Sequence, residues 1–140
     1  MINAIIVEDD PMVLEVNKGF LSRTSKFSLV GTASTGKEAW ELIETKQPDL
    51  VLLDVYLPDT TGLEVLYELR SREMPIDVIM ITAAKDVKTA QKIVRYGAVD
   101  YLVKPFNYDR FERALNNYAK MWHKFTKYEV ISQEDIDWYK

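Results

Sequence analysis

The sequence contains no cysteine and a single histidine, His123. The missing thiols exclude a disulfide framework, a thiolate zinc site and a cysteine nucleophile. One imidazole removes metal sites built from several histidines and argues against a Ser-His-Asp triad. No apolar run approaches the length of about 20 residues that a membrane span needs. The first residues lack the basic and long apolar regions of a signal peptide, so a cytoplasmic protein without a membrane partner is expected.

The length of 140 residues predicts one domain with a sizeable core. A composition of 47% hydrophobic and 29% charged residues argues against disorder. The net charge of −4 is unevenly distributed, because residues 85–127 carry 10 basic and 4 acidic side chains, a balance of +6. This basic stretch indicates either a partner surface or a pair of solvated helix faces.

Four short apolar runs end on polar residues that suit phosphoryl chemistry. Runs of this length, rich in Val, Ile and Leu and bounded by polar residues, predict buried parallel strands. The polar residues that follow them are Glu8, Asp9 and Asp10, then Asp54, Thr82 and Lys104. Ligands of open α/β sheets bind at the carboxyl ends of the strands. These groups are therefore expected to gather at one edge of the sheet, where they can hold a divalent cation and a phosphoryl group.

Helical patterns alternate with these runs and with a fifth, weaker strand. Asp10 before Pro11 predicts a helix start, with an acidic N-cap and proline at the first position. The remaining capping signals are Thr35 with Glu38, Thr61 with Glu64, Asp86 and, as a helix stop, Gly97. Alternation at this spacing predicts an α/β fold of five strands and five helices. It favours a doubly wound parallel sheet with right-handed crossovers and helices on both faces.

Asp54 is the candidate nucleophile, because a carboxylate can accept a phosphoryl group to give an acyl phosphate. The carboxylate and the phosphoryl group are both anionic and repel each other, so the reaction needs a positive counter-charge. Mg²⁺ suits this role, since it prefers an octahedral oxygen shell with one or two protein carboxylates. Asp9 is the expected direct ligand and Glu8 is expected to act through water. The backbone carbonyl of Tyr56 is the expected further ligand.

Lys104 offers a mobile positive charge for phosphate oxygens, and Thr82 offers a short hydroxyl donor. Each residue also has an ordinary structural interpretation. Acids after a strand are often helix caps, an isolated aspartate often lies in a turn, and threonine is common in strands. The functional interpretation depends on the placement of all of them at the ends of successive strands.

The pattern resembles the receiver domain of two-component response regulators over roughly residues 3–120. The segments that carry the resemblance are Ile5–Pro11, Asp49–Gly62, Val78–Ala84 and Gly97–Phe106. The resemblance implies a flavodoxin-like (βα)5 fold with strand order 2-1-3-4-5. It also implies a receiver domain over residues 1–122.

The resemblance implies that a sensor histidine kinase donates a phosphoryl group to Asp54. Mg²⁺ would be bound by Asp9, Asp54 and the Tyr56 carbonyl, with Glu8 in the outer shell. Lys104 would contact the phosphate, and the peptide bond after it would be cis. Such a domain is not an enzyme, beyond slow self-phosphorylation and self-dephosphorylation.

In such domains a switch couples the phosphate to an output face. Thr82 would move toward the phosphate and Tyr101 would rotate inward into the space left behind. The face that responds is formed by the fourth helix, the fifth strand and the fifth helix, where the basic stretch lies. Formation of a homodimer on phosphorylation is expected through this face.

The last part of the chain carries two further signals. The spacing of Phe111, Leu115, Tyr118, Trp122 and Phe125 resembles a heptad seam, which fits either a dimer contact or a helix covered by the tail. More narrowly, the chain resembles regulators of citrate, malate or fumarate metabolism, which carry a DNA-binding domain after the receiver. Residues 123–140 are interpreted as a helix extension and linker. DNA contact is then expected only through a domain missing from this chain, which fits a truncated piece or a single-domain protein.

Three other functions are compatible with parts of the pattern. A pseudo-receiver or single-domain protein would act by binding partners alone. A phosphatase with an aspartyl-phosphate intermediate would want a second acid near Asp54, but Tyr56 stands two residues beyond it. A flavin-binding module would want a phosphate loop after the first strand, where the acids instead repel phosphate.

Overall fold

The computed structural model describes residues 1–83, 85–127 and 137. Within them a parallel sheet is flanked by helices on both faces. The strands are β1 (Ile2–Val7), β2 (Phe27–Ala33), β3 (Leu50–Asp54), β4 (Asp77–Thr82) and β5 (Asp100–Val103). The helices are α1 (Pro11–Arg23), α2 (Gly36–Lys46), α3 (Gly62–Ser71), α4 (Val87–Arg95) and α5 (Tyr108–Lys127). Within the described part of the chain, none of the helices has the length and hydropathy needed to cross a bilayer.

The sheet has the strand order β2-β1-β3-β4-β5, with all neighbours parallel. This confirms the predicted doubly wound fold and its order. The strand ends are aligned, with Val7 opposite Leu53, Asp54 opposite Ile81 and Thr82 opposite Val103. We call the border at these ends the carboxyl edge; its polar residues are Glu8, Asp9, Asp54, Thr82 and Lys104.

The core forms two layers, one on each face of the sheet. Along β1, Ala4 and Ile6 pack on the face covered by α1 and α5, while Ile5 and Val7 pack on the opposite face. Helices α2, α3 and α4 cover that second face. Because the central strands are buried on both sides, they carry continuous apolar runs instead of alternating ones. Each fully buried aliphatic side chain contributes about 1.5–3 kcal/mol of transfer free energy.

The helix ends follow the predicted capping residues. Asp10 accepts a hydrogen bond from the amide of Met12 at 2.9 Å, and Asp86 accepts one from the amide of Thr89 at 2.8 Å. Gly97 follows α4 with a φ of +79°, a conformation that glycine adopts without strain.

The predicted capping box of α2 is confirmed in one of its two bonds. Thr35 Oγ1 accepts a hydrogen bond from the amide of Glu38 at 3.0 Å. The Glu38 carboxylate reaches one residue further back than expected and accepts from the amide of Ser34 at 2.8 Å and from its hydroxyl at 2.9 Å. These bonds lower the pKa of Glu38.

Helix α5 turns most of its heptad-like seam toward its own sheet. Phe111, Leu115 and Tyr118 are buried in the layer shared with α1, and Trp122 packs at its margin. Phe125 is 37% exposed. The first three positions of the seam are therefore core residues, not dimer contacts. The apolar tail residues that could cover the helix end lie outside the described residues.

The opposite border of the sheet, which we call the amino edge, also carries carboxylates. The side chain of Asp49 accepts a hydrogen bond from the amide of Asn3 at 2.9 Å. Tyr118 donates its hydroxyl hydrogen to Asp77 at 2.8 Å, which fixes the middle of α5 to the start of β4. Burial raises the pKa of Asp77, although the hydrogen bond from Tyr118 opposes that effect.

Candidate functional site

Lys104 joins two buried carboxylates at the carboxyl edge. Its Nζ lies 2.7 Å from Glu8 Oε1 and 3.3 Å from Asp54 Oδ2. Glu8 follows β1, Asp54 ends β3 and Lys104 follows β5, so the sheet alone brings together residues up to 96 positions apart. The Glu8 side chain is 2% exposed and the Asp54 side chain 8%. The ion pairs are therefore poorly screened by water.

The environment of Glu8 fixes both of its oxygens. Oε1 accepts from Lys104, and Oε2 accepts from the amide of Asp10 at 3.1 Å. Burial raises the pKa of Glu8, while the hydrogen bonds from Lys104 and Asp10 act in the opposite direction. Burial alone would lower the pKa of Lys104, but the bond to Glu8 and the charge of Asp54 outweigh it and raise that pKa. Lys104 is therefore a full positive charge at neutral pH.

Asp9 completes a group of three carboxylates. One oxygen each of Glu8, Asp9 and Asp54 can lie within 4.8 Å of the others. Asp9 is exposed, whereas its two partners are buried. Hard divalent cations such as Mg²⁺ prefer a small number of carboxylates together with water. The donor set therefore fits Mg²⁺, with two oxygens at the floor of the site and one at its mouth.

The loop after Asp54 is held close to the nucleophile candidate. A Cβ atom at Gly62 would overlap the backbone carbonyl oxygen of Asp54, so only glycine lets α3 start this near to β3. Tyr56 forms an isolated bridge with Thr61 across the loop, and its side chain is exposed. Its backbone carbonyl thus belongs to a short hydrogen-bonded loop at the carboxyl edge.

The two residues of the predicted switch lie in different surroundings. Thr82 is fully buried at the end of β4, one residue past Ile81, the register partner of Asp54. Tyr101 is half-buried and packs against the core layer under α2, α3 and α4. The Tyr101 carbonyl accepts a hydrogen bond from Arg110 at 3.4 Å. The structure therefore brings Glu8, Asp9, Asp54 and Lys104 together and places Thr82 beside them. Tyr101 is the second residue of β5 and lies further from the carboxyl edge. The bond between Lys104 and Pro105 is cis, as expected.

One residue near the site has a role that the sequence did not reveal. Asp59 lies in the loop after β3, and its carboxylate binds the first turn of α2. The bonded residues are 22 and 23 positions apart in the chain. No local spacing signals such a contact; the only hint is an acid in a loop that the topology places beside a helix start.

The fold and the acid group define a class of protein, and comparison with known families identifies it. Residues 4–116 match the model of the response regulator receiver domain. The chain belongs to the response regulator receiver domain family of two-component systems.

Curated relatives agree with this family over nearly the whole chain. The chain is 45% identical over 137 residues to the transcriptional regulatory protein MalR of Bacillus subtilis, covering 98% of this chain and 58% of that protein. It is 42% identical over 137 residues to a probable C4-dicarboxylate response regulator, DctR, of Halalkalibacterium halodurans, covering 98% and 60%. It is 38% identical over 139 residues to DcuR, a transcriptional regulatory protein of Escherichia coli, covering 98% and 58%. The chain thus spans about three fifths of the length of these relatives.

Solved structures share the fold. The chain superposes on a DNA-binding response regulator of the LuxR family from Staphylococcus aureus with a TM-score of 0.78 and 29% identity, covering 83% of this chain and 97% of that one. A CheY-like receiver domain protein from Methanospirillum hungatei gives a TM-score of 0.80 and 25% identity, covering 89% and 98%. These matches confirm the receiver fold.

Proposed function

We propose that Asp54 accepts a phosphoryl group from a sensor histidine kinase with the help of Mg²⁺, and that this event switches a transcription regulator. The observation that carries the proposal is the position of Lys104, whose ammonium group contacts Glu8 and Asp54 in a group of three carboxylates. A cation and several oxygen ligands beside one nucleophile are what phosphoryl transfer to a carboxylate requires.

The proposed transfer breaks the P–N bond of a phosphohistidine and forms a P–O bond to Asp54. A carboxylate oxygen of Asp54 supplies the electron pair of the new bond, and the pair of the P–N bond stays with the imidazole nitrogen. Lys104 donates hydrogen bonds to the phosphoryl oxygens, and Thr82 offers its hydroxyl to the same group. When bound by Asp9, Asp54, the Tyr56 carbonyl and, through water, Glu8, Mg²⁺ supplies the charge that offsets the repulsion between the two anions.

A groove beside Lys104 supports a protein as the phosphodonor. The groove runs between α1 and the segment after β5, and its lining is mostly apolar. Met12 and Val16 at this surface are 80% and 52% exposed. Exposed apolar surface suits a docked protein, and a kinase seated here would bring its phosphohistidine next to Asp54.

The proposed output runs through Thr82, Tyr101 and the face formed by α4, β5 and α5. Helix α4 is held weakly, because Ile93 is the one buried residue among its nine, while Val87 and Val94 are 70% and 67% exposed. A weakly held helix can change position when a local charge is added. Phosphorylation would draw Thr82 toward the phosphate, let Tyr101 turn inward and promote homodimers through this face. Sedimentation with and without a phosphoryl mimic tests this step, and a monomer under both conditions rejects it.

The proposed domain arrangement follows from the length of the relatives. Residues 1–122 would form the receiver, and residues 123–140 would connect it to a DNA-binding domain that this chain does not include. The relatives named as transcriptional regulators are longer than this chain. Contact with DNA would then depend on that additional domain.

The proposal is tested by incubating the protein with Mg²⁺ and acetyl phosphate and recording its intact mass. Wild type should gain one phosphoryl group, and Asp54→Ala should gain none. Asp77→Asn, which changes a carboxylate at the amino edge, should be labelled like wild type. Equal labelling of Asp54→Ala would show that another residue is the acceptor. The absence of labelling in wild type would favour a pseudo-receiver that acts by binding alone.

A further inference from the structure

The loop between β3 and α3, residues 55–61, is closed at its base by backbone bonds. The amide of Gly62 donates to the carbonyl of Val55 at 2.6 Å, and the amide of Leu57 donates to the carbonyl of Thr60 at 3.2 Å. The first bond holds the two ends of the loop together, and the second joins Leu57 to Thr60, the residue after Asp59. They do not connect the tip of the loop to the rest of the protein.

The tip is connected by Asp59. Its Oδ1 accepts a hydrogen bond from the amide of Gly36 at 2.8 Å, and its Oδ2 accepts one from the amide of Lys37 at 3.0 Å. Both amides belong to the first turn of α2, whose N–H groups have no partner inside the helix. Thr35 binds the next amide, that of Glu38. The start of α2 is thus shared between its own N-cap and an acid from another loop.

The contact is close as well as polar. A Cβ atom at Gly36 would overlap the Cγ2 atom of Thr60, the residue after Asp59. The loop therefore packs directly on the backbone of α2. The two amide bonds also lower the pKa of Asp59, so the carboxylate remains ionised at neutral pH.

We propose that Asp59 is a positioning residue for the metal site. By fixing the loop tip on α2, it holds the backbone carbonyl of Tyr56 in place beside Asp54. This inference rests on the proposed function, in which that carbonyl is a Mg²⁺ ligand. Asp59 itself touches neither the metal nor the phosphoryl group.

The expected consequence is a loss of Mg²⁺ affinity without loss of the fold. Without Asp59 the base of the loop stays closed by the bond between Gly62 and Val55, but the tip loses both of its hydrogen bonds to α2. Removing a residue that orients a metal ligand typically weakens metal binding by 10-fold or more, so we expect Asp59→Ala to raise the Kd for Mg²⁺ by about 10-fold. Asp59→Asn keeps one acceptor oxygen and should give an intermediate Kd.

A matched control separates positioning of the loop from stability of the helix. Thr35→Ala removes the cap of the same helix, from the hydroxyl to the Glu38 amide, and leaves the loop attached. Titration calorimetry with MgCl₂ on wild type, Asp59→Ala, Asp59→Asn and Thr35→Ala should show weaker binding only for the two Asp59 variants. In the absence of Mg²⁺, exchange of the Leu57 amide hydrogen should be faster in Asp59→Ala and unchanged in Thr35→Ala.

The outcomes distinguish this inference from the proposed function. If wild type binds Mg²⁺ and Asp59→Ala binds it equally well, the positioning role is wrong and the proposed function stands. The same conclusion follows if Thr35→Ala weakens binding as much as Asp59→Ala. If wild type binds no Mg²⁺, both proposals fail.

Discussion

Two carboxylate clusters occupy opposite borders of the same sheet, and their partners differ. At the carboxyl edge, Glu8 and Asp54 face each other across a shared cation, Lys104. At the amino edge, Asp49 and Asp77 accept hydrogen bonds from neutral donors, the amide of Asn3 and the hydroxyl of Tyr118, and the charge of Arg70 also acts on Asp77. Burial raises the pKa of one acid in each cluster, Glu8 and Asp77. A buried acid with a raised pKa therefore does not by itself indicate a functional site.

The difference lies in how the acids converge. Among the described residues, the group of three whose oxygens come close enough for one ion is at the carboxyl edge. The amino-edge acids instead connect strands to each other and to α5. Parallel strands bring every loop that precedes a helix start to the carboxyl edge, so helix N-termini also point there and favour anions. At the amino edge, aspartate side chains have a structural role instead.

The largest expected effect concerns the cation of the carboxyl edge. Lys104→Ala should slow phosphorylation by acetyl phosphate by at least about 100-fold, because it removes a positioned donor to the phosphoryl oxygens. Intact-mass time courses measure the rate. Lys46→Ala, at the exposed end of α2, is the control and should match wild type. If Lys104→Ala is phosphorylated at the wild-type rate, Lys104 does not assist phosphoryl transfer.

A hydroxyl deletion tests the structural role of the amino edge. Tyr118→Phe removes the hydrogen bond to the half-buried Asp77 carboxylate, and we expect the free energy of unfolding to fall by about 1–3 kcal/mol. Urea denaturation measures that change. Phosphorylation should proceed at the wild-type rate, because Tyr118 lies at the other border. Tyr67→Phe, which alters an exposed ring, should leave stability unchanged. An equal loss of stability in Tyr118→Phe and Tyr67→Phe would show that the hydrogen bond between Tyr118 and Asp77 makes no specific contribution.

A smaller effect is expected in the pH dependence of stability. Burial raises the pKa of Asp77 in the folded protein, so the folded state holds this proton more tightly than the unfolded chain. Its contribution to stability is full below the unfolded pKa, about 3.9 for an aspartate, and is lost as pH rises through the folded pKa. Asp77→Asn cannot ionise. Its free energy of unfolding relative to wild type should therefore increase with pH across this window and then level off.

Asp86 provides a control of opposite sign for that experiment. Hydrogen bonds from Thr89 lower the pKa of Asp86, so its contribution is present above the unfolded pKa and lost as pH falls through the folded one. The relative stability of Asp86→Asn should therefore decrease as pH rises. Urea denaturation at a series of pH values without Mg²⁺ measures both variants. If the stability of Asp77→Asn changes with pH in parallel with that of wild type, the raised pKa of Asp77 is contradicted.

The fold was predictable because its signals are local. Apolar runs bounded by polar residues marked the central strands, and Asp10 with Pro11 marked the first helix. The convergence of Glu8, Asp54 and Lys104 followed from one rule, that parallel strands end at a common edge. The composition of the carboxyl edge could therefore be predicted without knowing a single distance.

The remaining features depend on contacts between distant segments, which no spacing encodes. The bonds of Asp59 to α2 and of Tyr118 to Asp77 join residues 22 to 41 positions apart. The seam of α5 shows the same limit, because its spacing alone does not reveal that Phe111, Leu115 and Tyr118 pack on the sheet.

Magnesium binding is the most direct test of the claim that the two edges differ in function. Calorimetric titration with MgCl₂ should compare wild type with Asp9→Asn at the carboxyl edge and Asp49→Asn at the amino edge. We expect saturable binding by wild type and an unchanged Kd for Asp49→Asn. The Kd of Asp9→Asn should be at least about 10-fold higher, since a direct ligand matters no less than the groups that orient it. Equal affinity of Asp9→Asn and wild type would contradict the difference between the two edges.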